Sequence, residues 1–322
     1  MAKKKKKPTD NTEDAVNQQP ASSKATRRFM RTSRPLSGKV IGISISQPDN
    51  IEQYGYSAWD VNRITVRLSE ALLSAGAHLV FGHDWRPDGI MAAICGMAIK
   101  SHAVEDADTG PLIQNFLAAP DTTSLSSERE SDLRRRSLVH IQTIDSPRLS
   151  GAANPHLDRA LALSRMRFKM NQAIDARICI GGKRPQQGAK SPSGFFPGVA
   201  EEAYWAAKTG KPLLVAGFLG GVTAELIHAL EKGETGKSKP SSSTSSLAVL
   251  EAKKELYKNA AALFKQEKHK EFTLPPANLL RAFTTTKLNK ASGGLWTQGC
   301  DAVDVDSFAA IVRQLKFPRG KC

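Results

Sequence analysis

Residues 175–202 read DARICIGGKRPQQGAKSPSGFFPGVAEE, and this stretch decides how the chain is read. A short apolar run, Ile178-Cys179-Ile180, stops at Gly181-Gly182, and Gly198 then opens a segment carrying the paired acids Glu201 and Glu202. A buried strand that ends in glycines and is followed by a helix start presents backbone N–H groups and the positive end of a helix dipole. That combination suits a phosphate. The bland alternative is a plain turn with acids that complement a helix dipole.

The same grammar recurs along the chain. Lys39–Ser46 (KVIGISIS) alternates apolar and small residues as a strand does, and Gln47-Pro48-Asp49-Asn50 ends it. Ser57 and Asp60 form a capping-box pattern, after which Val61, Ile64, Leu68, Leu72 and Ala75 recur at helical spacing up to Gly76. A second strand is predicted over His78–Phe81 and a helix over 89–99. Residues 103–137 are acidic, then rich in Ser and Thr, then basic, and read as an excursion from the sheet. Strands are predicted at 139–144, 178–180 and 212–216, with helices over 156–173, 198–209 and 221–230 between and after them. Strands alternating with helices specify an α/β fold, doubly wound around a mostly parallel, Rossmann-like sheet.

Three of these strands end in glycine-bearing loops: Gly82 to Gly89, Gly181-Gly182, and Gly217 to Gly221. In an open parallel sheet all three converge on the carboxyl edge, where ligands bind. The expected ligand is therefore a nucleotide or another phosphate compound.

Composition bounds the remainder. The net charge is +15, and residues 1–38 alone hold ten Lys/Arg against three Asp/Glu with few apolar residues. That segment reads as a disordered basic tail, with non-specific nucleic-acid contact through phosphate charge as its sharper reading. The folded part carries no zinc-finger or aromatic-interleaved RNA motif. Cys95, Cys179, Cys300 and Cys322 are scattered without a Cys-x-x-Cys pair, so neither zinc nor a disulfide framework is expected and a reducing cytoplasm fits. No apolar run approaches the ~20 residues that cross a bilayer, and the lysine-rich start is no secretory signal. The expected organisation is a tail at 1–38, a nucleotide-binding domain at 39–231, a flexible linker at 232–248 and a helical extension at 249–322. No cofactor, metal or membrane partner is expected, and a homo-oligomer is.

The pieces GISIS (42–46), FGHDWRPDGIM (81–91), LSRMR (163–167), DARICIGGK (175–183), FPGVAEE (196–202) and GFLGG (217–221) resemble, in order, the SLOG superfamily of Rossmann-like domains. The resemblance implies a nucleotide site built by Gly42, Ser44, Ser46, Gly82, Asp84, Arg86, Gly89, Gly181, Gly182, Lys183, Gly198, Glu201, Gly220 and Gly221. Arg86 offers a bidentate guanidinium for phosphate or ribose, with a local turn and surface ion pair as the bland reading. In the related LOG phosphoribohydrolases, Pro-Gly-Gly-x-Gly-Thr-x-x-Glu follows an upstream Arg-Lys pair. Counted from Asp175, Met166 falls at that arginine, Arg167 at that lysine, Val199 at the threonine and Glu202 at the catalytic glutamate. Fifteen residues separate Gly182 from Gly198 where the enzyme has one. Arg165 is a candidate substitute for the missing arginine. Glu202, Arg165 and Arg167 are thus the catalytic candidates if the chain is a hydrolase. Sensor-type relatives, some from bacterial defence systems, keep the glycine loops without that chemistry, and the missing arginine and threonine favour the sensor reading. Trp205 and Phe218 read as packing residues.

Overall fold

The computed structural model describes residues 34–82, 90–102, 111–119, 131, 139–146, 154–184, 194–232, 252–267 and 272–317. The chain divides into two units, 1–34 and 35–322. The first, apart from Arg34, lies outside the described residues, and the expected tail lies there with it up to residue 33. The second unit begins earlier than the sequence suggested. Leu36 is fully buried, and its N–H donates to Ala75 O at 3.0 Å, so residues 35–38 belong to the fold.

Six strands form one parallel sheet: β1 (Val40–Ser46), β2 (His78–Phe81), β3 (Ile113–Ala118), β4 (Val139–Ile144), β5 (Ala176–Gly181) and β6 (Leu213–Ala216). Their spatial order is β4-β3-β2-β1-β5-β6, with every neighbouring pair parallel. The chain steps outward from β1 to β4, then returns to lay β5 against the other side of β1. That reversal puts the topological switch point between the carboxyl ends of β1 and β5, where Ser46 is paired with Gly181. Strand β3 falls inside the segment read as an excursion; its sequence, IQNFLA, carries a buried Asn115 that breaks the apolar run.

Nine α-helices accompany the sheet among the described residues: α1 (Ala58–Ser74), α2 (Met91–His102), α3 (Pro155–Gln172), α4 (Gly198–Lys208), α5 (Gly221–Glu231), α6 (Lys254–Glu267), α7 (Thr285–Ala291), α8 (Leu295–Cys300) and α9 (Val305–Val312). The Ser57 N–H and hydroxyl both donate to Asp60 Oδ2, so the acidic half of the expected capping box fixes the start of α1. These bonds hold the Asp60 carboxyl below its ordinary pKa. Strand alternation then sorts the two faces of the sheet. Ile41, Ile43 and Ile45 of β1 join Leu68, Leu72, Ile94 and Phe308 in one core. The intervening Gly42 and Ser44 turn to the other face, toward α3 and α4.

The C-terminal helices share these cores. Phe272, Phe283, Leu288 and Trp296 pack with Trp205 of α4 and Val215 of β6, and Phe308 and Val312 of α9 pack beneath α1. Trp205 meets Phe168 edge-on at 5.0 Å and is a packing residue. No described helix is long and apolar enough to cross a membrane.

Candidate functional site

Helix α4 starts at the carboxyl edge and drives its paired acids back under the sheet. The two neighbours in sequence go to different partners. Glu201 is fully buried; Arg167 Nη1 donates to its Oε2 at 2.6 Å and the Ser164 hydroxyl donates to its Oε1. Both partners come from α3, so this ion pair locks α3 to α4. Glu202 reaches the strands instead. Its Oε2 accepts from Ser44 Oγ of β1 at 2.5 Å and from Arg177 Nη1 of β5 at 2.8 Å. Arg177 Nη1 also donates to Ser44 Oγ at 2.8 Å, closing a three-membered network.

The two networks touch through Arg167, whose Nε lies 3.9 Å from Glu202 Oε1. Two guanidiniums and two carboxylates thus form a neutral cluster in a low-dielectric setting, where either charge alone would be costly. The Glu202 side chain keeps 12% exposure, while those of Glu201 and Arg177 keep none. Burial pushes the neighbouring Cys179 thiol up to about 12, with Arg177 and Glu202 acting on it in opposite directions.

The double glycine does not present free amides. Gly181 N–H donates to Thr223 Oγ1 at 2.9 Å and Gly182 N–H to Ser46 O at 2.9 Å, while Gly182 O accepts from Val222 N at 3.0 Å. Gly182 has φ +100°, and a Cβ there would stand 2.9 Å from Val222 Cβ and 3.0 Å from Val199 Cβ. This turn ties β5 to β1, α4 and α5, and its glycines answer to packing. The other backbone donors at this edge belong to the helix starts. Neither Pro197, before α4, nor Gly220, before α5, provides a side-chain cap. At Gly198 a Cβ would stand 3.0 Å from Arg167 Nη2, so the guanidinium runs alongside the first turn of α4.

The other sequence-selected residues fall into place around this centre. Gly42 passes beneath the Arg177 guanidinium, and Gly82 lies against Met170 of α3. Ser46 is half-buried at the end of β1, Lys183 is exposed beyond β5, and Gly220 and Gly221 open α5. Arg165 Nη1 donates to Asp145 O beyond β4 at 3.2 Å, so Arg167, not Arg165, is the arginine brought to the acids. Asp84, Arg86 and Gly89 lie outside the described residues.

Two participants had no role in the sequence reading. Arg177 sits within an apolar strand, where a charge is so rarely buried unpaired that its presence was itself the signal. Ser164 carried none. Among the described residues no group of three or more His, Cys, Asp or Glu is placed to hold a metal. A surface groove of about 630 Å³ lies elsewhere, lined by Tyr56, Ile64, Arg67 and Val305 among others, and contains none of the selected residues.

A doubly wound, all-parallel sheet with helices on both faces defines a Rossmann-like α/β class of protein. The SLOG cluster2 family model matches residues 35–301, most of the chain, and the chain belongs to that family. Membership supports a nucleotide-related function in general terms. The match extends through α6, α7 and α8, the helices that share the core of the sheet. No curated protein matches the chain.

Proposed function

We propose that the protein binds a nucleotide or nucleotide-derived signal at the carboxyl edge of the sheet, beside the starts of α4 and α5, and does not turn it over. The observation that carries this reading is the position of Arg167, running along the uncapped first turn of α4 at the switch point. A fixed guanidinium and a helix dipole together favour an anionic group. The absence of turnover is supported by the same geometry. Hydrolysis of a glycosidic bond needs an acid or base at the leaving group and a cation on the phosphate. Here the Glu202 oxygen Oε2 is already held by two donors, Ser44 Oγ and Arg177 Nη1.

A second reading, a LOG-like hydrolase releasing base and ribose phosphate from a nucleoside monophosphate, is favoured by one feature. Glu202 occupies the catalytic acid's place in the resembling motif and keeps partial exposure, with Oε1 facing Arg167.

Calorimetry against ribonucleoside mono-, di- and triphosphates, with chromatography of the same mixtures for free base, separates the readings. Saturable binding without base release is expected. No binding to any of them overturns the nucleotide reading. Base release by the wild type that Glu202→Gln abolishes replaces the sensor with the hydrolase.

A further inference from the structure

Arg177 is a costly residue to bury. It is the second residue of β5, with no exposed surface, and its Nε and Nη2 are buried without a hydrogen-bond partner among the described residues. Among the described residues its side-chain hydrogen bonds run through Nη1, to Ser44 Oγ and Glu202 Oε2. A buried arginine retained for stability has its five donors satisfied, because an unmet buried donor forfeits its hydration. An apolar residue at this register position, opposite Gly42, would fill the same space without that penalty. Packing therefore does not account for it.

What Arg177 does achieve is directional. With Ser44 it anchors one oxygen of Glu202 from the sheet side, so the carboxylate cannot rotate freely and its other oxygen is presented away from the strands. That oxygen, Oε1, has Arg167 Nε at 3.9 Å, beyond hydrogen-bond reach. An anionic acceptor held in this way repels phosphate and takes a donor, such as a hydroxyl or an amino group of a ligand.

We infer that Arg177 and Ser44 are positioning residues, which fix Glu202 so that its Oε1 accepts a hydrogen bond from a donor group of the bound nucleotide. The inference rests on the nucleotide reading above and adds the division of labour within it: Arg167 and the helix start take the anionic part, and Glu202, held by Arg177, takes a neutral donor.

A purely structural role predicts that variants at these positions lower stability and affect affinity independently of Glu202. A positioning role predicts that they act through Glu202 alone. Arg177→Lys keeps a buried cation, and Ser44→Ala removes one hydroxyl, so each is measured in the full chain with and without Glu202→Gln. The probe is the tightest-binding ribonucleotide of the panel above, with melting temperature recorded in parallel. Each single variant is expected to weaken binding roughly tenfold, the size of one lost charge-assisted hydrogen bond. In the Glu202→Gln background neither is expected to weaken it further. Additive losses in that background, or singles that leave affinity unchanged while lowering the melting temperature, overturn the positioning role alone. If the wild type binds none of the ribonucleotides, the nucleotide reading itself has failed and this inference falls with it.

Discussion

The ring of Tyr54, at the end of the 3-10 turn after β1 (Ile51–Tyr54), lies directly across Gly220 at the start of α5; a Cβ built on the glycine would stand 2.3 Å from Tyr54 Cε2. Tyr54 is 42% exposed, so the ring forms part of the rim of the carboxyl edge. Gly220 has φ 75° and ψ −149°, a conformation open essentially to glycine alone.

Gly220→Ala therefore meets two separate penalties, backbone strain of about 1–3 kcal/mol and a steric clash with the ring. Adding Tyr54→Ala removes the clash and leaves the strain. Urea unfolding of the two singles and the double is expected to show non-additivity, with the double more stable than the Gly220→Ala single. A Gly220→Ala protein as stable as wild type would refute the stacking.

The N-terminal boundary makes a second prediction. Leu36 is fully buried among α1 and strand residues, and its backbone is bonded to Ala75 O. Leu36→Ala is expected to lower unfolding free energy by about 2–5 kcal/mol, the range for a buried leucine in a well-packed core. A change within about 0.5 kcal/mol, typical of a surface site, would return the boundary to Lys39.

How much of this was legible depended on the kind of signal. Strands β1, β2, β5 and β6 announce themselves because each is a largely apolar run closed by a turn or glycine, whereas their spatial order, and with it the switch point, is set by tertiary pairing. Strand β3 did not, because Asn115 interrupts it; the buried amide is tolerated in part because its Nδ2 donates to Phe81 O at 3.5 Å. At the site, Glu201 and Glu202 were legible as a pair, but two adjacent letters say nothing of their divergence. Helical geometry swings neighbouring side chains about 100° apart, so one finds α3 and the other the strands. The partners themselves are set by tertiary packing. Arg165, chosen to replace a missing arginine, and Arg167 differ by two helical positions, and only the packed α3–α4 interface decides between them.

The thiol beside the site offers a chemical check on its burial. Cys179 has its pKa pushed up to about 12 chiefly by burial, so the thiolate that attacks alkylating reagents is nearly absent at pH 8.5. Peptide mapping after iodoacetamide treatment of the native protein is expected to find Cys179 unmodified, and modified only once the chain is unfolded. Labelling of the native protein at a rate near that of a free thiol would show the Arg177–Glu202 layer to be open to solvent.

The last prediction turns on Arg167 and Glu201. Arg167→Met leaves the Glu201 carboxylate fully buried with Ser164 as its remaining close donor, and an uncompensated buried charge of this kind costs about 3–5 kcal/mol. Combining it with Glu201→Gln removes the orphaned charge, so the double variant is expected to be more stable than the Arg167→Met single. If Arg167 serves only the fold, that double variant recovers nucleotide affinity along with stability. If Arg167 also holds the anionic part of the ligand, stability returns and affinity does not, because the guanidinium beside the first turn of α4 is gone. Paired melting curves and calorimetry on the wild type, both singles and the double decide it. Recovery of affinity in the double variant would remove Arg167 from the binding site and leave it as the bolt between α3 and α4.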